Sequence, residues 1–299
     1  MSFWAAGAPL LSLGAEPAAA TPPAEAEVGK HEGHGLPAHS PKLGRTNSSF
    51  VTSSMLVTWT VGLGLILFAR YATRKMQLAP SGAQNFLEWL VETLYEFLEG
   101  IIGSDLVKRT FWFFATVFIF ILFTNWFGLL PGIGTIGWGK PGDHGFEVAT
   151  PLLRGGNADL NMTAAMSMIF FACWIVWAIQ CVGIKGMFLD LFGPKGDTTG
   201  FLRILMIIVF FLVGFLEVFS ILFRPVSLSF RLYGNIFAGE NMLETMARLV
   251  PGFGWLLPVP FYFMELLVGI VQALVFMLLT AVFTMLMCAH GEESGGAAH

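Results

Sequence analysis

Six polar residues recur on one helical face in the apolar segment between Leu212 and Phe237. They follow one another at steps of 3, 4, 3, 4 and 4, and they are Glu217, Ser220, Arg224, Ser227, Arg231 and Asn235. Residues at such steps share one face of a helix. A charge at membrane depth is costly unless it faces protein or water, and arginine keeps its proton there whereas glutamate can take one up. A fixed cation near titratable acids is typical of a proton path.

Further acids follow this stripe. Glu240 and Glu244 are four residues apart, and Glu240 lies nine residues beyond Arg231, which is about 180° around a regular helix. We therefore expect Glu240 to serve a different surface or depth than Arg231. The last apolar segment carries Glu265, Gly269 and Gln272 on one face, and the small Gly269 should let a neighbour or water approach. The alternative is an internal network, for example Glu217 with Arg224, that only holds helices together.

The composition places these charges in an integral membrane protein. Of the 299 residues, 55% are hydrophobic and 12% are charged, about half the roughly 25% of a soluble domain. The mean hydropathy is +0.71. So few charges could not cover this apolar surface in water. An ordinary cytosolic enzyme, a nucleic-acid binder and a disordered scaffold are therefore excluded.

Three charge-free segments predict simple spanning helices: Val51 to Ala69, Thr110 to Pro131 and Asn161 to Ile184. Residues 82–103 instead predict an amphipathic surface helix, with one acidic face formed by Glu88, Glu92, Glu96 and Glu99. Two longer apolar stretches, 201–250 and 255–289, would run roughly 75 Å and 50 Å as single helices. Because the hydrocarbon core is about 30 Å thick, they must tilt strongly or break, and Pro225, Pro258 and Pro260 could kink them.

These elements predict an all-α membrane fold with about five crossings plus the surface helix. Residues 1–49 form an expected flexible tail with a signal-like start, residues 50–290 the membrane domain, and residues 291–299 a short C-terminal tail. More Lys and Arg flank the loops after the first and third spans than the opposite side. This bias predicts an external N-terminus and a cytoplasmic C-terminus.

Other motif-like patterns predict no further chemistry. Gly132, Gly134 and Gly137 spell G-x-G-x-x-G, but they follow a spanning helix rather than a strand, so the segment is interpreted as a loop. The sequence contains no Walker-type phosphate loop and no HExxH or GxSxG motif. We expect no nucleotide, cofactor or metal. The three cysteines show no disulfide or metal pattern, Cys173 and Cys181 are interpreted as small buried hydrophobes, and the tail histidines, His31, His34 and His39, could bind a metal.

Several segments together resemble subunit a of rotary F-type ATP synthases. The run RPVSLSFRLYGNIFAGE, from Arg224 to Glu240, resembles the signature of that family. The other matching segments are TNWFGLLPG (124–132), ADLNMT (158–163), LEVFSILFRP (216–225) and the last helix with Glu265 and Gln272. The order of spans and surface helix also fits, over about residues 50–290.

The resemblance implies a non-catalytic stator subunit in the bacterial plasma membrane. It would pack against a rotating ring of c subunits, each with one membrane-buried carboxylate, and against peripheral-stalk b subunits, and it would bind neither nucleotide nor nucleic acid. By match, Arg231 is the essential arginine that faces the ring between two aqueous half-channels. The outer half-channel would contain Asn235, Glu240, Glu265 and Gln272, and the inner one Glu217, Ser220, Arg224 and Ser227.

Two positions depart from the family pattern. Many bacterial relatives have histidine where Glu265 lies, and some carry an acid where this chain has Gly128. Two nearby carboxylates can share protons, so a relay remains possible. The alternative function is a self-contained polytopic ion channel or transporter, and a membrane enzyme is a weaker third class.

Overall fold

The computed structural model describes residues 52–130, 133, 137–142, 145–151, 153–192, 201–249 and 256–296. Over these residues the chain forms six α-helices: α1 Ser53–Ala72, α2 Ala83–Ile102, α3 Ser104–Gly128, α4 Leu160–Phe192, α5 Phe201–Leu249 and α6 Val259–Gly296. A two-stranded hairpin, β1 Gly137–Gly142 and β2 Gly145–Pro151, and a 3-10 turn, Gly156–Ala158, lie between α3 and α4. The predicted tail 1–49, with its signal-like start and histidines, lies outside the described residues.

Five of the described helices are long and apolar enough to cross a membrane. These segments are Ser53–Ala72, Ser104–Gly128, Leu160–Ile184, Leu205–Ala247 and Val259–Ala289. The prediction of an all-α membrane fold with about five crossings is therefore confirmed, and the short hairpin is an addition outside the spans.

The amphipathic α2 lies where the sequence places a surface helix. It buries Gln84, Leu94, Leu98 and Ile102, while Glu92 and Glu96 of its acidic face are exposed. Gly103 joins α2 to α3 with a φ of 82°. This left-handed conformation favours glycine, and it lets two helices meet with one residue between them.

The start of α4 is tied to α1 by one carboxylate. Asp159 accepts a hydrogen bond from the backbone N–H of Asn161 at 3.0 Å and another from the Ser54 hydroxyl at 2.5 Å. An aspartate just before a helix satisfies backbone donors that otherwise lack partners. The helix then breaks locally at Gly183, which has a φ of 75°, close to the predicted end of the span.

The two long apolar stretches form continuous helices. The 49 residues of α5 measure about 74 Å at 1.5 Å per residue. Pro225 lies inside α5, which continues past it, so the proline does not end the helix. Pro258 precedes α6 and Pro260 lies in its first turn, where the missing N–H removes no helical hydrogen bond.

Aromatic side chains of α3 and α4 form the centre of the core with apolar residues of α6. Phe113 and Phe114 lie 5.5 and 5.7 Å from Trp177, measured between ring centroids. Phe276 and Met277 are fully buried in the same cluster. These contacts fix α6 against α3 and α4 and thereby position its polar residues.

The segment interpreted as a loop contains regular structure. Gly137, the last glycine of the G-x-G-x-x-G pattern, pairs with Pro151 at one end of the antiparallel hairpin. Gly132 and Gly134 lie outside the described residues. The glycine- and proline-rich sequence carries no apolar alternation, which is why the strands could not be read from it.

The expectation of no disulfide was wrong. Cys181 of α4 and Cys288 of α6 form a disulfide, with their Cα atoms 5.3 Å apart and a sequence separation of 107. No short-range spacing could reveal such a pair, because it depends on how two distant helices pack. Cys173 is a free, partly buried cysteine.

Candidate functional site

The polar stripe of α5 is largely uncovered by the rest of the described chain. Five of its six members are exposed: Glu217, Ser220, Ser227, Arg231 and Asn235. In the most apolar stretch of α5 only 6% of the residues are buried, against 44% in the most apolar stretch of α3. The helix that carries the most charge therefore offers its surface to lipid or to another protein.

Arg224 leaves the exposed stripe although its spacing places it there. Its guanidinium carbon lies 4.5 Å from the ring centroid of Phe283 and 5.9 Å from that of Trp174. Trp174 in turn donates a hydrogen bond from Nε1 to the Phe283 carbonyl at 3.3 Å. The long side chain carries its charge sideways onto aromatic faces of α4 and α6. The described structure contains no ion pair between Glu217 and Arg224.

Asn235 and Gln272 connect the two long helices. The Asn235 side-chain amide donates a 2.7 Å hydrogen bond from Nδ2 to Oε1 of Gln272. Gln272 is buried and Asn235 is exposed, so this contact links the uncovered stripe with the interior. The structure thus brings together two residues that the sequence assigns to one path.

Glu240 and Glu265 line the same small cavity. It has a volume of about 10 Å³, close to the smallest space that holds one water molecule. The remaining lining residues come from α3, α5 and the loop before α4, and they are Thr124, Asn125, Gly128, Leu129, Gly155, Asn157 and Ile236. The two acids from different helices therefore face one polar space.

Two glycines let these carboxylates approach the backbone. A Cβ atom at Gly239 would overlap the Glu265 carboxylate, and one at Gly155 would overlap Oε1 of Glu240. Any larger residue would have to displace the acid. These glycines therefore determine where the two carboxylates lie.

An asparagine pair holds α3, the loop and α6 together beside the cavity. Asn157 donates a 2.6 Å hydrogen bond to Oδ1 of Asn125, and Asn125 donates a 3.1 Å bond to the Gly269 carbonyl. A Cβ at Gly269 would lie 3.2 Å from the Asn125 Cβ. The predicted close approach at Gly269 is confirmed, and the neighbour is α3.

The sequence reasoning missed Arg154, which forms the ion pair at this site. Its Nε lies 3.7 Å from Oε2 of Glu240, and the two side chains are 3% and 15% exposed. Asn125 and Asn157 were also missed. Asn125 lies inside the motif TNWFGLLPG, and Asn157 directly precedes the motif ADLNMT. Their positions in and next to these motifs could have indicated both residues.

No group of three or more His, Cys, Asp or Glu side chains within the described ranges could hold a metal ion. The polar groups at the site are carboxylates, amides and guanidinium groups. The carboxylates can take up and release protons, whereas the amides and the guanidinium group donate hydrogen bonds without giving up a proton. The fold and site thus define an integral membrane protein whose last two helices carry ionisable groups at membrane depth.

Comparison with known proteins identifies the family. The sequence profile of the family described as ATP synthase A chain matches residues 55–285. ATP synthase subunit a of Gloeobacter violaceus is 35% identical over 228 residues, which is 76% of this chain and 80% of that protein. Subunit a of Moorella thermoacetica is 34% identical over 78% of this chain and 89% of its own length.

A further relative, from Propionigenium modestum, is 29% identical over 78% of this chain and 73% of that protein, and its name specifies a sodium ion-specific subunit a. The chain belongs to the ATP synthase A chain family, the ion-translocating membrane subunit a of F-type ATP synthases.

Proposed function

We propose that this chain is the stator that passes protons to and from a c-subunit ring through two half-channels. The observation that carries the proposal is the exposure of Arg231 on an apolar helix that the chain leaves uncovered. An exposed guanidinium at membrane depth needs a partner of opposite charge. A ring of membrane-buried carboxylates supplies such a partner.

The outer half-channel contains Glu240, Glu265, Asn235 and Gln272. Protons enter at the cavity between the two acids and are passed by these carboxylates towards a ring carboxylate, with the hydrogen-bonded amides of Asn235 and Gln272 lining the path. Arg231 then stabilises that carboxylate in its ionised form when it arrives on the other side, so its proton leaves. The same positive charge repels protons that would cross directly.

The inner half-channel contains the exposed Glu217, Ser220 and Ser227. Arg224 lies on the same helix, and its guanidinium group contacts aromatic rings of α4 and α6. In this proposal the N-terminus lies outside and the C-terminus in the cytoplasm of a bacterial cell, the orientation that the distribution of Lys and Arg favours. Each proton that crosses 100 mV releases about 2.3 kcal/mol, which other subunits use for nucleotide chemistry. Peripheral-stalk b subunits hold the chain against the turning ring.

The proposal requires that ion flow depend on the ring. The purified chain in liposomes, the ring alone and the two together should be compared for dye-detected proton flux under a potassium diffusion potential. We expect flux only from the combined preparation, in buffers free of sodium. Equal flux from the chain alone would overturn the proposal and identify a self-contained channel, and flux that requires sodium would show that the carried ion is not the proton.

A further inference from the structure

Arg154 is a buried cation on the segment between β2 and α4, and its side chain is only 3% exposed. Its Nε lies 3.7 Å from Glu240 Oε2, and its guanidinium carbon lies 6.0 Å from the ring centroid of Phe237. Phe237 and Glu240 both belong to α5. The loop residue therefore applies a positive charge to the end of the helix that bears Arg231.

Apart from Arg154, the charged side chains that act on Glu240 within the described part of the chain are negative. Glu265 faces the same cavity from α6, and Glu244 follows one turn later on α5, while Arg154 faces Glu240 from the loop. Arginine does not lose its proton in proteins, so Arg154 is a permanent counter-charge. Without it, carboxylates that converge on one small cavity would repel one another and adopt other positions or share protons.

The residues that follow Arg154 hold its segment against α3 and α1. Gly155 approaches the end of α3 so closely that a Cβ at Gly128 would lie 3.2 Å from its Cα. Asn157 is bonded to Asn125 of α3, and Asp159 is bonded to Ser54 of α1. Arg154 is thus mounted on the helix bundle rather than on a free loop.

We propose that Arg154 is a positioning residue of the proton path: its fixed charge, with the bare backbone of Gly155, holds the Glu240 carboxylate against the cavity shared with Glu265. Arg154 acts through Glu240 and carries no proton itself. This inference rests on the proposed function, because it assumes that Glu240 lies on the path.

The first experiment measures ATP-driven proton pumping in membrane vesicles that contain the whole complex, normalised to the amount of assembled chain. We expect Arg154→Gln to lower the pumping rate about 10-fold and Arg154→Lys to restore most of it, because the neighbouring Glu240 carboxylate favours the charged form of a lysine at this position. A lysine variant as impaired as the glutamine variant would overturn the charge argument, and so would normal pumping by Arg154→Gln.

The second experiment asks whether Arg154 acts through Glu240. Glu240→Asp keeps the carboxylate but withdraws it by one methylene, so it should already break the contact. We expect Arg154→Gln to add little to the loss caused by Glu240→Asp, which is the signature of two residues that act as a unit. Losses that multiply as independent effects would overturn the inference.

Gly155→Ala tests the same contact from the backbone side and serves where Arg154→Gln fails to assemble. Its Cβ would displace the Glu240 carboxylate, so we expect a several-fold loss of pumping in an assembled complex. The matched control is Gly100→Ala on α2, where a Cβ would meet nothing within 4 Å. Equal pumping by the two alanine variants would overturn the inference.

Glu240→Gln separates this inference from the proposed function. Normal pumping by Glu240→Gln would remove Glu240 from the path and would defeat both. Impaired pumping by Glu240→Gln together with normal pumping by Arg154→Gln would defeat the role of Arg154 alone.

Discussion

Two parts of α5 differ in how the charges of their side chains are satisfied. Arg231 is exposed on an uncovered helix face, whereas Glu240 is paired with Arg154 and enclosed by loop and helix backbone. One region leaves its charge for a partner, and the other satisfies its charge internally. The difference fits the two tasks proposed for α5, contact with another subunit and conduction within this one, and it agrees with the sequence expectation that Glu240 serves a different surface than Arg231.

The exposed region should give the largest functional loss at no cost in folding. We expect Arg231→Ala to lower ATP-driven pumping roughly 100-fold or more, because about 3 kcal/mol of lost charge stabilisation corresponds to two powers of ten. Arg231→Lys should also be severely impaired, since lysine can lose its charge when desolvated. Vesicle pumping and the amount of assembled complex are the measurements.

Arg109→Ala is the matched control for this prediction, because Arg109 is also an exposed arginine but lies on α3. Its pumping should match that of the unaltered complex. Normal pumping by Arg231→Ala would remove the functional half of the comparison.

Substitutions in the enclosed region should cause a smaller loss of pumping, and this loss should depend on whether the side chain can exchange a proton. Glu265→Gln keeps the shape of the side chain but cannot exchange a proton. We expect about a 10-fold fall in pumping, less than the roughly 100-fold or more that a general acid–base group contributes, because Glu240 faces the same cavity. ATP hydrolysis by the same membranes reports whether the complex is intact, and a variant that pumps at full rate would show that protons bypass Glu265.

The glycine at the acid contact gives a purely steric test. Gly239→Ala should displace the Glu265 carboxylate and lower pumping a few-fold, at little cost in stability because the displaced atoms are the end of a flexible side chain. Gly64→Ala on α1, where a Cβ would meet nothing within 4 Å, should leave pumping unchanged. Vesicle pumping by the two assembled variants is the measurement, and equal pumping would contradict the packing described at Gly239.

Arg224 should show the smallest effect of the charged residues, because aromatic faces already satisfy its charge. We expect Arg224→Gln to cost about 1–2 kcal/mol of stability, the range of a partly desolvated cation–π contact, with pumping reduced less than in Arg231→Ala. Equal losses of pumping in the two arginine variants would place Arg224 in the same functional class as Arg231.

The spans and the surface helix could be predicted from sequence because hydrophobic period and length determine them. The assignment of Asn235 and Gln272 to one path came from the resemblance to the family, and the structure brings the two side chains into contact. Arg154 could not, since it belongs to an irregular segment whose position depends on the packing of Asn157 and Asp159. The contact of Arg224 with aromatic rings of α4 and α6 could not be predicted either. Helical spacing determines the position of a Cα atom, but it does not determine where the end of a long side chain lies.

The Cys181–Cys288 bond closes a covalent loop of the chain, and the helix that carries Arg231 is part of that loop. All of α5 lies between these two cysteines, so the chain leaves α4, runs through α5 and returns to α6 inside one closed circuit. A force on α5 is therefore transmitted from both of its ends to the disulfide that joins α4 and α6. The helix can bear a load on its exposed face without separating α4 from α6.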